Sequence, residues 1–103
     1  MARLLIKNRI PFEPHVSFTC FDRAGKQFTY TVDFLLRSPQ KFVGIPYIVT
    51  ALEVKGRFEK HDILRNDALD YCHKIKCWLI FEPHIEMWER QGIFWQPNDF
   101  YLV

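Results

Sequence analysis

At 103 residues the chain has room for one domain around one core. It is 49% hydrophobic and 17% aromatic, enough to build that core and to exclude a disordered segment. A formal net charge of +2, from 14 basic and 12 acidic residues, does not by itself demand a polyanionic partner, so local clustering has to decide.

The three cysteines, Cys20, Cys72 and Cys77, form no C-x-x-C pair and are odd in number. That argues against a disulfide scaffold and for small buried hydrophobes in a reducing interior. His61 and His73 fit no zinc spacing with them. No apolar run approaches the ~20 residues that cross a bilayer, and the apolar stretch in "MARLLIKNRIPFEP" is too short for a signal peptide. The expectation is a soluble, cytoplasmic protein with no membrane partner.

In chain order, "ARLLIKNR" (2–9) holds good helix formers and stops before Pro11. "HVSFTCF" (15–21) alternates in period two, "DRAGK" (22–26) reads as a turn, and "QFTYTVDFLL" (27–36) resumes with β-branched and aromatic residues. Together they predict a β-hairpin. "RSPQKFVGIP" (37–46), with two prolines and a glycine, predicts a loop. "YIVTALEVKG" (47–56) is nearly continuous in apolar residues, as a central strand covered on both faces would be. "KHDILRNDALDYCHKI" (60–75) places Leu64, Ala68, Tyr71, Cys72 and Ile75 at helical spacing and predicts an amphipathic helix. "KCWLIFE" (76–82) reads as a fourth strand. "PHIEMWERQG" (83–92) reads as a short helix opened by proline and closed by glycine, followed by an aromatic tail, "IFWQPNDFYLV" (93–103). The strand–helix–strand unit predicts a right-handed parallel crossover, so the expected fold is a mixed α/β sheet flanked by helices.

The chemistry concentrates on two strands. Glu53 and Lys55, two apart, share one strand face, and Asp33 sits among apolar neighbours in the preceding strand. Adjacent strands would let Asp33 and Glu53 converge. A carboxylate in an apolar strand costs several kcal/mol unless it is paired or metal-bound. Two acids and a lysine can hold a hard divalent cation such as Mg²⁺, which binds phosphate and activates water, while the ammonium steadies the charge developing on phosphorus. Taken alone, Glu53 and Lys55 are equally an exposed ion pair worth ~0.2–1 kcal/mol. The set is more specific: an acid in one apolar strand, E-x-K-G closing the next, and a basic helix directly after.

Asp33 followed by Glu53-Val54-Lys55 resembles the PD-(D/E)xK nuclease signature of restriction-endonuclease-like folds. Over roughly residues 8–82 the chain also resembles the phage junction-resolving endonuclease I family, whose members have a similar "I-x-F-E" entry, a "YTPDFLL"-like strand and an "E-x-KG" strand. The resemblance implies a restriction-endonuclease-like mixed four-stranded sheet flanked by helices, and a Mg²⁺-dependent hydrolase cutting DNA, with Mn²⁺ able to substitute. It implies Asp33, Glu53 and Lys55 as catalytic residues, and Asp33, Glu53 and the Val54 carbonyl as metal ligands. It also points to branched or structured DNA, a role in recombination or repair, and a homodimer. The chain departs from the pattern in three places. Val32 stands where proline is frequent, and the spacing between Asp33 and Glu53 exceeds a tight hairpin. "MARLLIKNR" lacks the helix acid that completes such sites, and that acid would fall upstream of Met1. Glu13 is the nearest substitute in sequence.

For nucleic-acid contacts, Arg57 and Lys60 cluster around the motif and would grip phosphates without reading sequence. Arg65 is set apart, because five residues along a helix is about 140° beyond one turn from Lys60. His61 beside Asp62 reads as a solvated pair. Trp78, Trp88 and Trp95, like Phe18, Phe28, Tyr30 and Phe34, read as core packing rather than base-stacking platforms. Two other readings stay open: a catalytically impaired nucleic-acid-binding or assembly module that keeps the fold, favoured by the missing acid, and a small structural protein whose aromatic tail forms a dimer interface.

Overall fold

The computed structural model describes residues 1–94. Helix α1 (Ala2–Lys7) leads into strands β1 (Phe12–Phe21), β2 (Gln27–Gln40) and β3 (Val49–Val54). Helix α2 (Lys60–His73), strand β4 (Cys77–Ile80) and helix α3 (Glu82–Gln91) follow. This is the element order the hydrophobic pattern predicts. The four strands form one sheet in the order β1-β2-β3-β4. The first three run as an antiparallel meander, and β4 lies parallel to β3 after the α2 crossover.

Two clusters of buried side chains cover the two faces. On one, Leu5 of α1 and Trp88 of α3 pack with Leu36, Leu52 and Ile80 of the sheet. On the other, Ala68 and Leu69 of α2 pack with Tyr30, Val32, Ala51 and Cys77. Strand β3 contributes Leu52 to the first and Ala51 to the second, which is why its sequence is apolar without alternation. Trp88 is fully buried and its indole N–H donates to the Val43 carbonyl at 2.8 Å. Trp78 is partly buried against the same cluster. Cys20 and Cys77 are buried, and all three cysteines are free thiols. Trp95 and the rest of the tail from 95 to 103 lie outside the described residues.

Side-chain alternation along β2 changes phase near Asp33, and the β2–β3 register shifts between Leu35 and Gln40. Tyr30 and Val32 pack on the α2 side, whereas Phe34 and Leu36 pack on the α1/α3 side. The phase changes around Asp33. Opposite it, His15 of β1 adopts a left-handed backbone with φ 51°, and the pairs Val16↔Val32 and Pro14↔Phe34 flank this spot. A residue with positive φ inside a strand turns the local ladder and re-aims its neighbours.

Some boundaries differ from expectation. Strand β2 continues to Gln40, through the Ser38-Pro39 stretch expected as loop. Pro39 is tolerated because it lies beyond Leu36, the last residue of β2 paired with β1. The rest of the connection to β3 packs as core: Phe42 and Ile45 are buried, and the Val43 N–H bonds to the Ile93 carbonyl at 3.0 Å. Helix α2 turns its faces differently from the predicted stripe. Ala68 and Leu69 are buried, but Leu64 is 67% and Tyr71 50% exposed. The helix leans on the sheet through its second half, so the apolar positions of its outer flank meet solvent. Among the described residues, no helix is long and apolar enough to cross a membrane.

Candidate active site

The register of β2 and β3 pairs Leu35 with Ala51 and Phe34 with Leu52. Carried one position further, it sets Asp33 across from Glu53. The two acids therefore occupy opposed positions on adjacent strands, at the end of β3 that leads into α2. Each carboxylate has one oxygen engaged by the fold. Asp33 Oδ2 accepts the Val54 N–H at 2.8 Å, and Asp33 Oδ1 lies 3.9 Å from His15 Nδ1. Glu53 Oε2 accepts the Tyr30 hydroxyl at 2.6 Å.

Lys55 follows the last residue of β3, yet its N–H still donates to the Ile80 carbonyl of β4 at 2.8 Å. Its side chain is 24% exposed, and Nζ stands 3.1 Å from Asp62 Oδ1. That hydrogen bond holds the ammonium above the ordinary lysine value, with the nearby Glu53 charge adding to the effect against partial desolvation.

Glu53, Lys55, Tyr30, Asp62 and Arg65 line one cleft of about 220 Å³, with Thr29 and Thr31 on its β2 wall. Asp33 reaches this group through the Val54 backbone and is not among the lining residues. Of the three expected phosphate contacts, Arg65 lines the cleft, its guanidinium 5.6 Å from the Phe28 ring centroid. Arg57 and Lys60 are exposed, between β3 and α2 and at the first residue of α2 respectively. Of the three basic residues, the fold therefore brings Arg65 to the cleft beside Glu53 and Lys55. Lys60 sits on the opening turn of α2, and Arg65, one turn on, leans back over β2.

Two residues of the site escape the sequence reading. Asp62 is not a solvated partner of His61: it is 3% exposed, pairs with Lys55, and accepts the Glu59 N–H at 2.8 Å through Oδ2. Burial alone would push its carboxyl up, but the Glu59 N–H and the Lys55 ammonium outweigh that and hold it below the ordinary value. The Glu59-x-x-Asp62 spacing of a capping box was the available signal. Tyr30 is core, as expected, but its hydroxyl also holds Glu53. Burial and then the Cys77 and Glu53 charges push its pKa far upward, so it remains a donor. Cys77, paired with Ala51 on β4, is likewise raised, to about 12, by burial first and then by the Glu53 charge.

Among the described residues no three His, Cys, Asp or Glu side chains gather into a metal-ligating group. Helix α1 supplies no acid, and Glu13 is exposed in β1 opposite Leu35. No family model, curated protein or solved structure matches the chain.

Proposed function

We propose that the chain is a metal-dependent endonuclease of the PD-(D/E)xK kind, hydrolysing phosphodiester bonds in DNA, with Asp33, Glu53 and Lys55 as its catalytic residues. The observation that carries this reading is the meeting of Glu53 and Lys55 in one polar cleft, with Asp33 across the strand pair from Glu53.

The donor set fits Mg²⁺. Asp33 and Glu53 are hard oxygen donors, each with a second carboxylate oxygen that its internal hydrogen bond does not use. With the Val54 carbonyl they would supply oxygen ligands of the kind that suits an ion keeping several of its waters. When bound, Mg²⁺ or Mn²⁺ supplies Lewis-acid activation of the phosphate and of the attacking water. The chain's own groups do the rest. Tyr30 fixes the orientation of Glu53, and the Val54 N–H fixes that of Asp33. The Lys55 ammonium offers positive charge where negative charge grows on the phosphoryl oxygens. Arg65, Arg57 and Lys60 bind flanking phosphates. Branched or structured DNA is the substrate form this reading favours, and a homodimer its working assembly.

The test is incubation of the chain with supercoiled, branched and single-stranded DNA in Mg²⁺ or Mn²⁺. Cleavage that Asp33→Asn abolishes and that Lys55→Ala cuts to a small residual rate is the expected result. Its absence on every substrate removes the catalytic reading.

A specific observation favours a second reading, a nucleic-acid-binding or assembly module without catalysis. Both carboxylates are already hydrogen-bonded within the fold, and α1 contributes no third acid. Calorimetric titration with Mn²⁺ separates the two: a nuclease shows a binding heat that Glu53→Gln removes, and the module shows none.

A further inference from the structure

Asp62 is the one buried charged residue among those described, and the chemistry proposed above does not use it. A buried carboxylate is costly unless its oxygens are satisfied and its charge is paired. Both conditions are met, by different parts of the fold. Oδ2 accepts the Glu59 N–H at the start of α2, and Oδ1 faces the Lys55 ammonium at 3.1 Å. The first contact locks the carboxylate to the helix frame. As the third helical residue of a capping box whose N-cap is Glu59, Asp62 needs nothing more than an acceptor for that N–H. The burial and the cation are left unexplained by capping.

Lys55 needs such a partner. It lies one residue beyond β3, on a flexible four-carbon stem whose rotamers must be restrained to fix the ammonium. Two other acids come within its electrostatic reach, Glu53 and Glu59. Collapse onto Glu53 would place the ammonium on the carboxylate meant for the cation. Beside the pair, half-exposed His61 of α2 lies 3.7 Å from Asp62 Oδ1 and 3.3 Å from Glu59 Oε2. Arg65 completes the cationic wall of the same cleft.

We infer that Asp62 is a positioning residue: anchored by the α2 cap, it holds the Lys55 ammonium apart from Glu53 and presents it to the phosphate. The inference rests on the catalytic role proposed for Lys55. It predicts that removing the Asp62 charge harms turnover through Lys55 and through nothing else.

The experiment compares Mg²⁺-dependent DNA cleavage by the full chain and by Asp62→Asn, Asp62→Glu, Lys55→Met and the Lys55→Met/Asp62→Asn double variant. Asn keeps an oxygen for the Glu59 N–H and removes only the charge. The expected result is a fall in kcat for Asp62→Asn on the order of 10- to 100-fold, the cost of a misplaced catalytic group, with KM for DNA within about twofold. Asp62→Glu restores part of the loss. In the Lys55→Met background, Asp62→Asn changes the residual rate by less than about twofold. An equal loss in both backgrounds makes Asp62 a cap and overturns the inference, as does full activity of Asp62→Asn; either outcome leaves the nuclease reading standing. Failure of the unaltered chain to cleave overturns both together. Should Asp62→Asn not fold, Asp62→Ser keeps a cap acceptor without the charge and is judged by the same comparison.

Discussion

The Tyr30 hydroxyl donates a 2.6 Å hydrogen bond to Glu53 Oε2 across the β2–β3 pair. A residue that sequence pattern assigns to the core is thereby also the support of the acid at the centre of the candidate site. Hydrogen bonds to a charged acceptor contribute about 1.5–3 kcal/mol. We predict that Tyr30→Phe lowers unfolding free energy by roughly that amount in urea titration. Because supporting groups fix the orientation of ligands, Mn²⁺ affinity should fall about 10- to 100-fold in calorimetry. Unchanged affinity would mean that Glu53 does not depend on Tyr30 for its function.

Asp33 offers a way to separate support from chemistry. Its Oδ2 satisfies the Val54 N–H at the end of β3. Asp33→Asn can keep an acceptor there, and Asp33→Ala cannot. The expected outcome is a stability loss of about 1 kcal/mol for the alanine variant and a smaller one for the asparagine variant, with cleavage abolished in both. Parallel losses of stability and activity would reduce Asp33 to a structural residue.

The Lys55–Asp62 pair sets a pH signature for stability. Asp62 has its folded pKa lowered from the ordinary 3.8, so it binds protons more weakly folded than unfolded. Its contribution is therefore present above pH 3.8 and is lost as pH falls through the lower folded value. Lys55 is shifted up from 10.5, so its contribution is present below that pH and is lost as pH rises through the higher folded value. Urea unfolding between pH 7 and pH 2.5 should show a steeper acid loss for the unaltered chain than for Asp62→Asn. Identical slopes would show that the pair adds nothing to folding.

DNA binding should be strongly salt-dependent. Each phosphate neutralised contributes about −0.9 to the slope of log affinity against log salt on duplex DNA. Arg57→Ala, Lys60→Ala and Arg65→Ala should each flatten that slope by about 0.9, read by fluorescence anisotropy. A slope near zero for the unaltered chain would leave only the structural reading.

The orientation of α2 is testable through two leucines. Leu52 of β3 is fully buried and Leu64 of α2 is 67% exposed. Leu52→Ala should cost about 2–5 kcal/mol, and Leu64→Ala no more than about 0.5 kcal/mol. A large cost at Leu64 would mean that its flank is covered.

Periodicity and breakers alone carry the element order, the β1–β2 hairpin, the parallel crossover between β3 and β4, and the central place of β3. These follow from local propensity and from burial on two faces, which leave direct marks on residue type. The Asp33 and Glu53-Val54-Lys55 set was legible for the same reason, since charged groups stand out within apolar strands. Three features were not legible. The phase change at Asp33 lies opposite the left-handed backbone of His15, one strand away. Asp62 and Arg65 line the cleft only because α2 packs on the sheet face that carries Tyr30, Val32 and Ala51, which no helical wheel contains. Tyr30 looks like any core aromatic until β3 brings Glu53 to its hydroxyl. Sequence determined which groups the chain could bring to a site; tertiary packing decided which oxygen faces which donor, because long-range contacts select partners that no local spacing encodes.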